Sequence, residues 1–259
     1  MKKIKLWTIR LLPLLLLLVV WQYWADGSPK TRFLFGSPRL VFHAFISNIA
    51  NGELIINTYV TGLEALTGFL LGVLIGSSIG FGLLYSDLLA TAFKPYVLAL
   101  GSVPVFAVAP MLIVWFGVGF QMKVAMAFFS TVLVALSQAY EGGKSVDSDL
   151  KVLFLMNGSS KRAMFWKLVL PSSMSWVLAS LKLNIGLALL GAFIGEFIAS
   201  ENGLGHAILR AGGIYDVPYV LAGAICIIVL AFALNFLVSI IEKHRRKIVE
   251  LFTVPSNIR

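Results

Sequence analysis

Apolar residues fall into long runs along this chain, separated by short polar segments. A helix that crosses a bilayer needs about 20 mostly apolar residues, and the sequence offers six windows of that kind. Pro104 and Pro110 interrupt the third window. The pattern predicts an all-α integral membrane protein with about six transmembrane helices, near residues 6–24, 58–83, 92–116, 122–139, 174–199 and 217–241.

The first apolar run follows four basic residues and has the outline of a secretory signal. Residues 21–24 after it read Trp-Gln-Tyr-Trp, which is not the small-x-small pattern of a cleavage site. We therefore expect an uncleaved membrane anchor.

Composition and charge agree with a membrane protein. Hydrophobic residues make up 59% of the chain and charged residues 13%, against roughly 25% charged in soluble domains. Of the basic residues, 15 lie in segments on one side of the predicted spans and five on the other, so we expect both termini to be cytoplasmic. The basic residues at 243–247 directly follow a span and would meet anionic lipid headgroups. Orientation thus accounts for the net charge of +9, and no nucleic-acid partner is expected.

Three charged residues are expected within the membrane, namely Glu64, Lys182 and Glu196. Such residues are costly in hydrocarbon unless they face protein or water. Lys94 and Lys123, near the ends of their windows, are assigned to an inner and an outer segment respectively. Lys182 and Glu196 are separated by about 20 Å of helix, so they cannot pair. They either line a water-filled path or reach opposite membrane surfaces. Glu64 fits either a polar cavity or an interfacial position.

Glu64 begins a four-residue periodicity that continues through Gly68, Gly72, Gly76 and Gly80. Glycines at this spacing form a stripe on one side of a helix and allow a neighbouring backbone to approach closely. The stripe predicts helix packing.

The polar segment 140–171 lies on the cytoplasmic side. Its capping residues predict one helix that ends at Asn157-Gly158, and a second that runs through Leu170 and is closed by Pro171. The first helix is apolar on nearly every side, which suits docking into the groove of a partner protein. The alternative is that it packs against the inner ends of the chain's own helices.

Sequence signatures of an enzyme are missing. Gly143-Lys144-Ser145 resembles the end of a phosphate-binding loop, but the first glycine of that motif is absent and no strand precedes it. Cys226 is the single cysteine and the three histidines lie in separate segments, so we expect no metal site and no catalytic residue.

The segment 140–171 resembles the signature loop of permeases of bacterial ABC importers, in which Gly is followed by Ile-x-Leu-Pro. Gly158 stands 13 residues before Pro171, the spacing of that motif. Further stretches resemble the nitrate, sulfonate and taurine branch of the family, so the resemblance runs from about residue 35 to 241. These stretches are Gly52-Glu-Leu54, Gly68-Phe69, Pro104 to Pro110, Trp115-Phe-Gly-Val-Gly119 with Lys123, Gly195-Glu196 and Gly203-Leu-Gly205.

Two positions depart from the family pattern. Val152, Leu153 and Phe154 stand where the family has Glu-Ala-Ala. Glu64 stands where many relatives of this branch carry arginine. The first departure makes the predicted docking surface more apolar, and the second reverses a charge, so that a simple anion path cannot be assumed.

The resemblance implies a type I ABC-importer permease that forms one transmembrane domain over 1–259, with an N-terminal span in 1–24, core helices in 58–241 and an ATPase-docking loop in 140–171. The implied path residues are Glu64, Pro104, Pro110, Lys182 and Glu196. The implied docking residues are Leu150, Lys151, Val152, Leu153, Phe154, Leu155, Met156, Asn157, Gly158, Leu170 and Pro171.

A permease of this kind is implied to lie in the bacterial cytoplasmic membrane and to pair with a second copy of itself. Cytoplasmic ATPase subunits would use ATP and Mg, with no cofactor bound by this chain, and an extracytoplasmic binding protein would deliver the solute. Sulfonates, taurine, nitrate and pyrimidine-type vitamin precursors are the candidate solutes. The alternative is a secondary transporter that couples uptake to an ion gradient through Glu64, Lys182 and Glu196.

Overall fold

A computed structural model describes residues 2–252, with side-chain surroundings for 12–86, 88–240, 242 and 243. The basic residues at 2–10 and 244–247 lie outside the described side chains. Over the described range the chain is helical and contains no strand, which confirms the all-α prediction. In chain order the α-helices are α1 (Lys2–Asp26), α2 (Pro29–Phe35), α3 (Pro38–Ala50), α4 (Glu53–Leu84), α5 (Asp87–Gly101), α6 (Ala109–Phe116), α7 (Phe120–Lys144), α8 (Ser148–Met156), α9 (Lys161–Met164), α10 (Leu170–Ile198), α11 (Leu204–Gly213) and α12 (Val217–Phe252).

Four stretches of helix are long and apolar enough to cross a membrane within the described residues. They are Glu53–Leu84, Phe120–Lys144, Lys161–Ile198 and Val217–Ile240. A fifth span results if α5 and α6 are taken together. The first predicted window, 6–24, lies within the 25-residue helix α1, whose described side chains form the apolar stretch Leu12–Asp26.

The third predicted window is broken where its prolines suggested. Helix α5 ends at Gly101, a short 3-10 turn spans Val105–Val108, and the axes on either side of the break differ by 88°. Pro104 is in an extended conformation before the turn, and Pro110 occupies the first turn of α6, where its missing N–H costs nothing.

The structure of residues 140–171 corrects one detail of the sequence prediction. Gly158 does end α8, in the left-handed conformation at φ +72°. Pro171, however, does not close the second helix, because α9, a π-helical stretch at Phe165–Val169 and α10 form one continuous helix, Lys161–Ile198. Proline clashes with the carbonyl four residues earlier in a regular α-helix. The wider π turn, in which the N–H of Leu170 bonds to the carbonyl of Phe165, accommodates it.

The described residues cluster into two compact units. The first unit contains the chain up to Val60 together with Asn202–Val229. Within this unit, the N–H of Gly203 donates to Asn57 at 2.8 Å, and the hydroxyl of Tyr219 donates to the carboxylate of Glu53 at 3.0 Å. The second unit contains Thr61–Glu201 and the chain from Leu230 onward.

Helix α7 is the centre of the second unit. The predicted glycine stripe of α4 packs on one side of it: a Cβ added at Gly72 would lie 1.8 Å from Oγ1 of Thr131, and one at Gly76 would lie 2.2 Å from the carbonyl oxygen of Val132. Helix α10 packs on another side, where a Cβ at Gly191 would lie 2.7 Å from the carbonyl oxygen of Met126. These contacts confirm the predicted packing role of the stripe.

We expect Gly76→Ala to destabilise the protein by about 1–3 kcal/mol, because the new methyl group meets backbone that cannot move aside. Gly82→Ala is the matched control on the same helix, since a Cβ there meets nothing within 4 Å. The measurement is the unfolding midpoint of each purified variant in detergent. Equal midpoints for the two variants would contradict the packing argument.

Candidate functional site

Four polar side chains from three helices meet inside the second unit. Thr61 and Glu64 lie one turn apart on α4, Lys123 lies in the first turn of α7, and Glu196 lies near the end of α10. The exposed fractions of Glu64, Lys123 and Glu196 are only 2%, 3% and 1%, and Thr61 is fully buried. We call these four residues the buried polar cluster.

Hydrogen bonds connect the members of the buried polar cluster. The hydroxyl of Thr61 donates to Oε1 of Glu196 at 2.6 Å. The carboxyl groups of Glu64 and Glu196 lie close to each other, and Lys123 lies close enough to both to attract them electrostatically. The Lys123 ammonium also donates to the carbonyl oxygen of Val118, in the turn before α7. One atom, Oε2 of Glu64, is buried without a hydrogen-bond partner.

Lys123 is the basic member of the buried polar cluster, and it attracts the carboxyl groups of both Glu64 and Glu196. Charges interact strongly in a medium of low dielectric constant, so both the attraction to Lys123 and the repulsion between the two acids are larger here than in water. Its aliphatic stem lies against Gly195, where an added Cβ would come within 3.2 Å of Cγ of Lys123.

Sequence reasoning had assigned Lys123 to an outer segment. Its position one residue inside the predicted window 122–139 was the signal that could have placed it within the span. The meeting of Glu64 with Glu196 had no such signal, because 132 positions separate them in the sequence.

Lys182, the other charged residue predicted within a span, is not part of the buried polar cluster. Its ammonium pairs with Oε2 of Glu242 on α12 at 2.9 Å, and half of its side chain is exposed. Lys182 and Glu196, which both lie on α10, therefore have different partners on other helices.

A cavity of about 880 Å³ lies in the second unit between α5, the 3-10 turn, α6, α7 and α10. The break between α5 and α6 contributes residues on both sides of Pro104, among them Gly101, Val103 and Val105. None of Glu64, Lys182 and Glu196 is among the described residues that line it. The residues next to Pro104 and Pro110 thus border the cavity, whereas the two prolines and the three charged residues are not among the described lining residues.

Most of the predicted docking residues, Leu150 to Gly158, lie in a short exposed helix and the turn that follows it. Helix α8 contains Leu150 to Met156, starts with the Asp147 side chain capping the N–H of Asp149, and ends at Asn157 and Gly158. Its apolar side chains are not covered: Val152, Leu153 and Leu155 are about half exposed and Met156 is 82% exposed. Leu170 and Pro171 lie apart from α8, in the first turn of α10.

Most of the sequence that forms these helices matches a known protein family. Residues 68–247 match the family described as binding-protein-dependent transport system inner membrane component. The chain belongs to this family. The resemblance to ABC-importer permeases is confirmed, and the chain is a permease subunit of that class, so the alternative of an ion-coupled secondary transporter is set aside.

Two curated relatives illustrate the similarity. The riboflavin transport system permease protein RibX of Chloroflexus aurantiacus is 30% identical over 89% of this chain and 86% of its own. The formylaminopyrimidine transport permease protein ThiX of Halalkalibacterium halodurans is 29% identical over 80% of this chain and 82% of its own.

Solved structures agree on the fold. A chain of the MetNI methionine ABC transporter, in an inward-facing conformation, superimposes with a TM-score of 0.65 over 74% of this permease and 95% of its own length, at 16% identity. The predicted type I importer fold is therefore confirmed.

We expect Lys123→Met to destabilise the permease by about 3–5 kcal/mol, because it leaves two buried carboxyl groups without their cation. Lys182→Met is the control, since it removes an ion pair whose lysine is half exposed, and we expect a smaller loss. Thermal unfolding of both purified variants, followed by fluorescence, makes the comparison. A loss for Lys182→Met as large as that for Lys123→Met would refute the role given to the buried polar cluster.

Proposed function

We propose that this permease, with a second copy of itself, forms the membrane path of an ATP-driven importer. A cytoplasmic ATPase docks on α8 and holds the ATP and Mg, while an extracytoplasmic binding protein delivers a small solute. The bias of basic residues supports a bacterial inner-membrane location with both termini in the cytoplasm.

The observation that carries the proposal is the uncovered apolar surface of α8. An exposed apolar patch between two membrane helices is unfavourable unless a partner buries it. Within the described residues the helix makes its contacts with the short helix α9 and leaves Val152, Leu153, Leu155 and Met156 accessible. A short helix of this kind suits a groove on a cytoplasmic protein.

Movement of α8 has a direct route into the membrane. The following helix runs without interruption from Lys161 to Ile198, and Leu187 and Leu190 of that helix line the cavity. Closure of an ATPase dimer would move the docked helices as rigid bodies and alternate the opening of the path. A second copy, related by a twofold axis, would supply the opposite wall of the path.

The relatives suggest which solutes to consider. Their names refer to riboflavin, formylaminopyrimidine, aliphatic sulfonates and taurine, so the candidates include both ring compounds and small sulfonates. Nitrate and pyrimidine-type vitamin precursors complete the set considered from sequence.

We expect the double variant Leu153→Asp, Met156→Asp to lose its ATPase, because two carboxylates in an apolar interface are costly to desolvate. The ATPase subunit should no longer co-purify in stoichiometric amount, and the ATPase activity of the membrane complex should fall to that of the isolated subunit. If this variant retains the ATPase, the docking proposal is wrong.

Ser160→Asp is the matched control for this experiment. It adds a carboxylate to the same cytoplasmic segment, removes no apolar side chain and keeps a residue that caps helices well, as Ser160 now does through the N–H of Ala163. This variant should retain the ATPase.

A further inference from the structure

The wall of the cavity in the second unit carries no ionisable side chain among its described residues. Most of the lining is aliphatic, with the rings of Trp115 and Phe129 and the polar side chains of Ser102, Ser130, Ser137 and Gln138. We propose that the imported solute is an uncharged ring compound with a hydrogen-bonding edge, and that Trp115 and Gln138 contact it in this cavity. The inference rests on the proposed function, since it takes the cavity as part of the import path.

An anion would find no compensating charge in the cavity. Removing a charged group from water costs several kcal/mol unless an opposite charge or a set of hydrogen bonds replaces the solvent. The lysines nearest this wall do not line it: Lys123 donates to the carbonyl oxygen of Val118, Lys182 pairs with Glu242, and Lys94 of α5 is not a lining residue. A symmetric second copy would present the same uncharged wall from the opposite side.

The polar side chains of the cavity wall differ in whether they already make hydrogen bonds within the protein. The hydroxyls of Ser102 and Ser130 donate to carbonyl oxygens of the preceding helical turn, at 2.9 and 2.8 Å. Ser137 and Gln138 make no side-chain hydrogen bond within the described part of the chain. An amide offers both a donor and an acceptor, so Gln138 can match a ring edge that presents both, such as an amide or imide edge.

The aromatic side chain and the volume of the cavity suit a solute that contains a ring. Trp115 is largely exposed and borders the cavity, so its face is available for stacking. A volume of about 880 Å³ lies in the upper part of the range of pockets for drug-sized ligands, and exceeds what a two-carbon sulfonate would fill.

The test measures uptake by intact cells that carry the complete transport system, with the permease gene deleted or restored. The probes are labelled riboflavin and a labelled formylaminopyrimidine as uncharged rings, and labelled ethanesulfonate as an anion. We expect deletion to abolish uptake of a ring probe and to leave ethanesulfonate uptake unchanged.

Variants locate the contact. Gln138→Leu keeps the approximate size and removes the amide, and we expect ring uptake to fall about fivefold or more. Trp115→Ala should lower it as well, and Trp115→Phe should restore a large part. Phe232→Ala is the control, because Phe232 is an exposed aromatic residue of α12 that does not line the cavity.

Each other outcome counts against the inference. Ring uptake that depends on the gene but not on Gln138 or Trp115 excludes the cavity as the contact site. If only ethanesulfonate uptake depends on the permease gene, the solute is not an uncharged ring, although the protein is still an importer. If uptake of neither probe class depends on the gene, the inference is also wrong. Co-purification of the ATPase with every variant reports separately on the proposed function.

Discussion

The close approach of α4 and α10 to α7 is the contact on which the second unit depends. Apolar burial against lipid gives helices little reason to associate, so association in a membrane relies on close packing and on hydrogen bonds between helices. Glycines at Gly72, Gly76 and Gly191 allow backbones to meet at distances that any Cβ would prevent. The same contact brings the charged residues together, because Glu64 lies one turn before the stripe and Glu196 follows Gly195, which packs on Lys123.

The charged and uncharged residues of this unit are separated in space, and the low dielectric constant of the membrane explains why that separation is useful. The attraction of a base for neighbouring acids is strongest when they lie close together and away from water. Concentrated in the buried polar cluster, they leave the cavity wall to aliphatic, aromatic and neutral polar residues. The three charged side chains thus contribute to helix association without placing a fixed charge in the cavity.

Sequence patterns predicted the structure correctly where a feature depends on residues that are close together in the sequence. Hydropathy located the spans, the four-residue spacing of glycines identified a packing surface, Gly158 marked a helix end, and two prolines marked the break between α5 and α6. The buried polar cluster could not be predicted, because a sequence does not show which turn of α4 faces which turn of α10. Lys123 was misplaced for a related reason: a basic residue at the edge of a hydropathy window resembles an interfacial anchor until a neighbouring helix is known to cover it.

The error at Pro171 has a different origin and bears on how the permease transmits movement. Proline was taken as a stop signal, although helices in membrane proteins tolerate it when the local turn widens and nearby groups satisfy the freed carbonyls. Here the π turn supplies the space. A helix that stopped at Leu170 would leave a flexible joint between the segment 140–171 and the membrane span. A continuous helix has no such joint, so a displacement applied beside α8 would be carried along α10 to the residues that line the cavity.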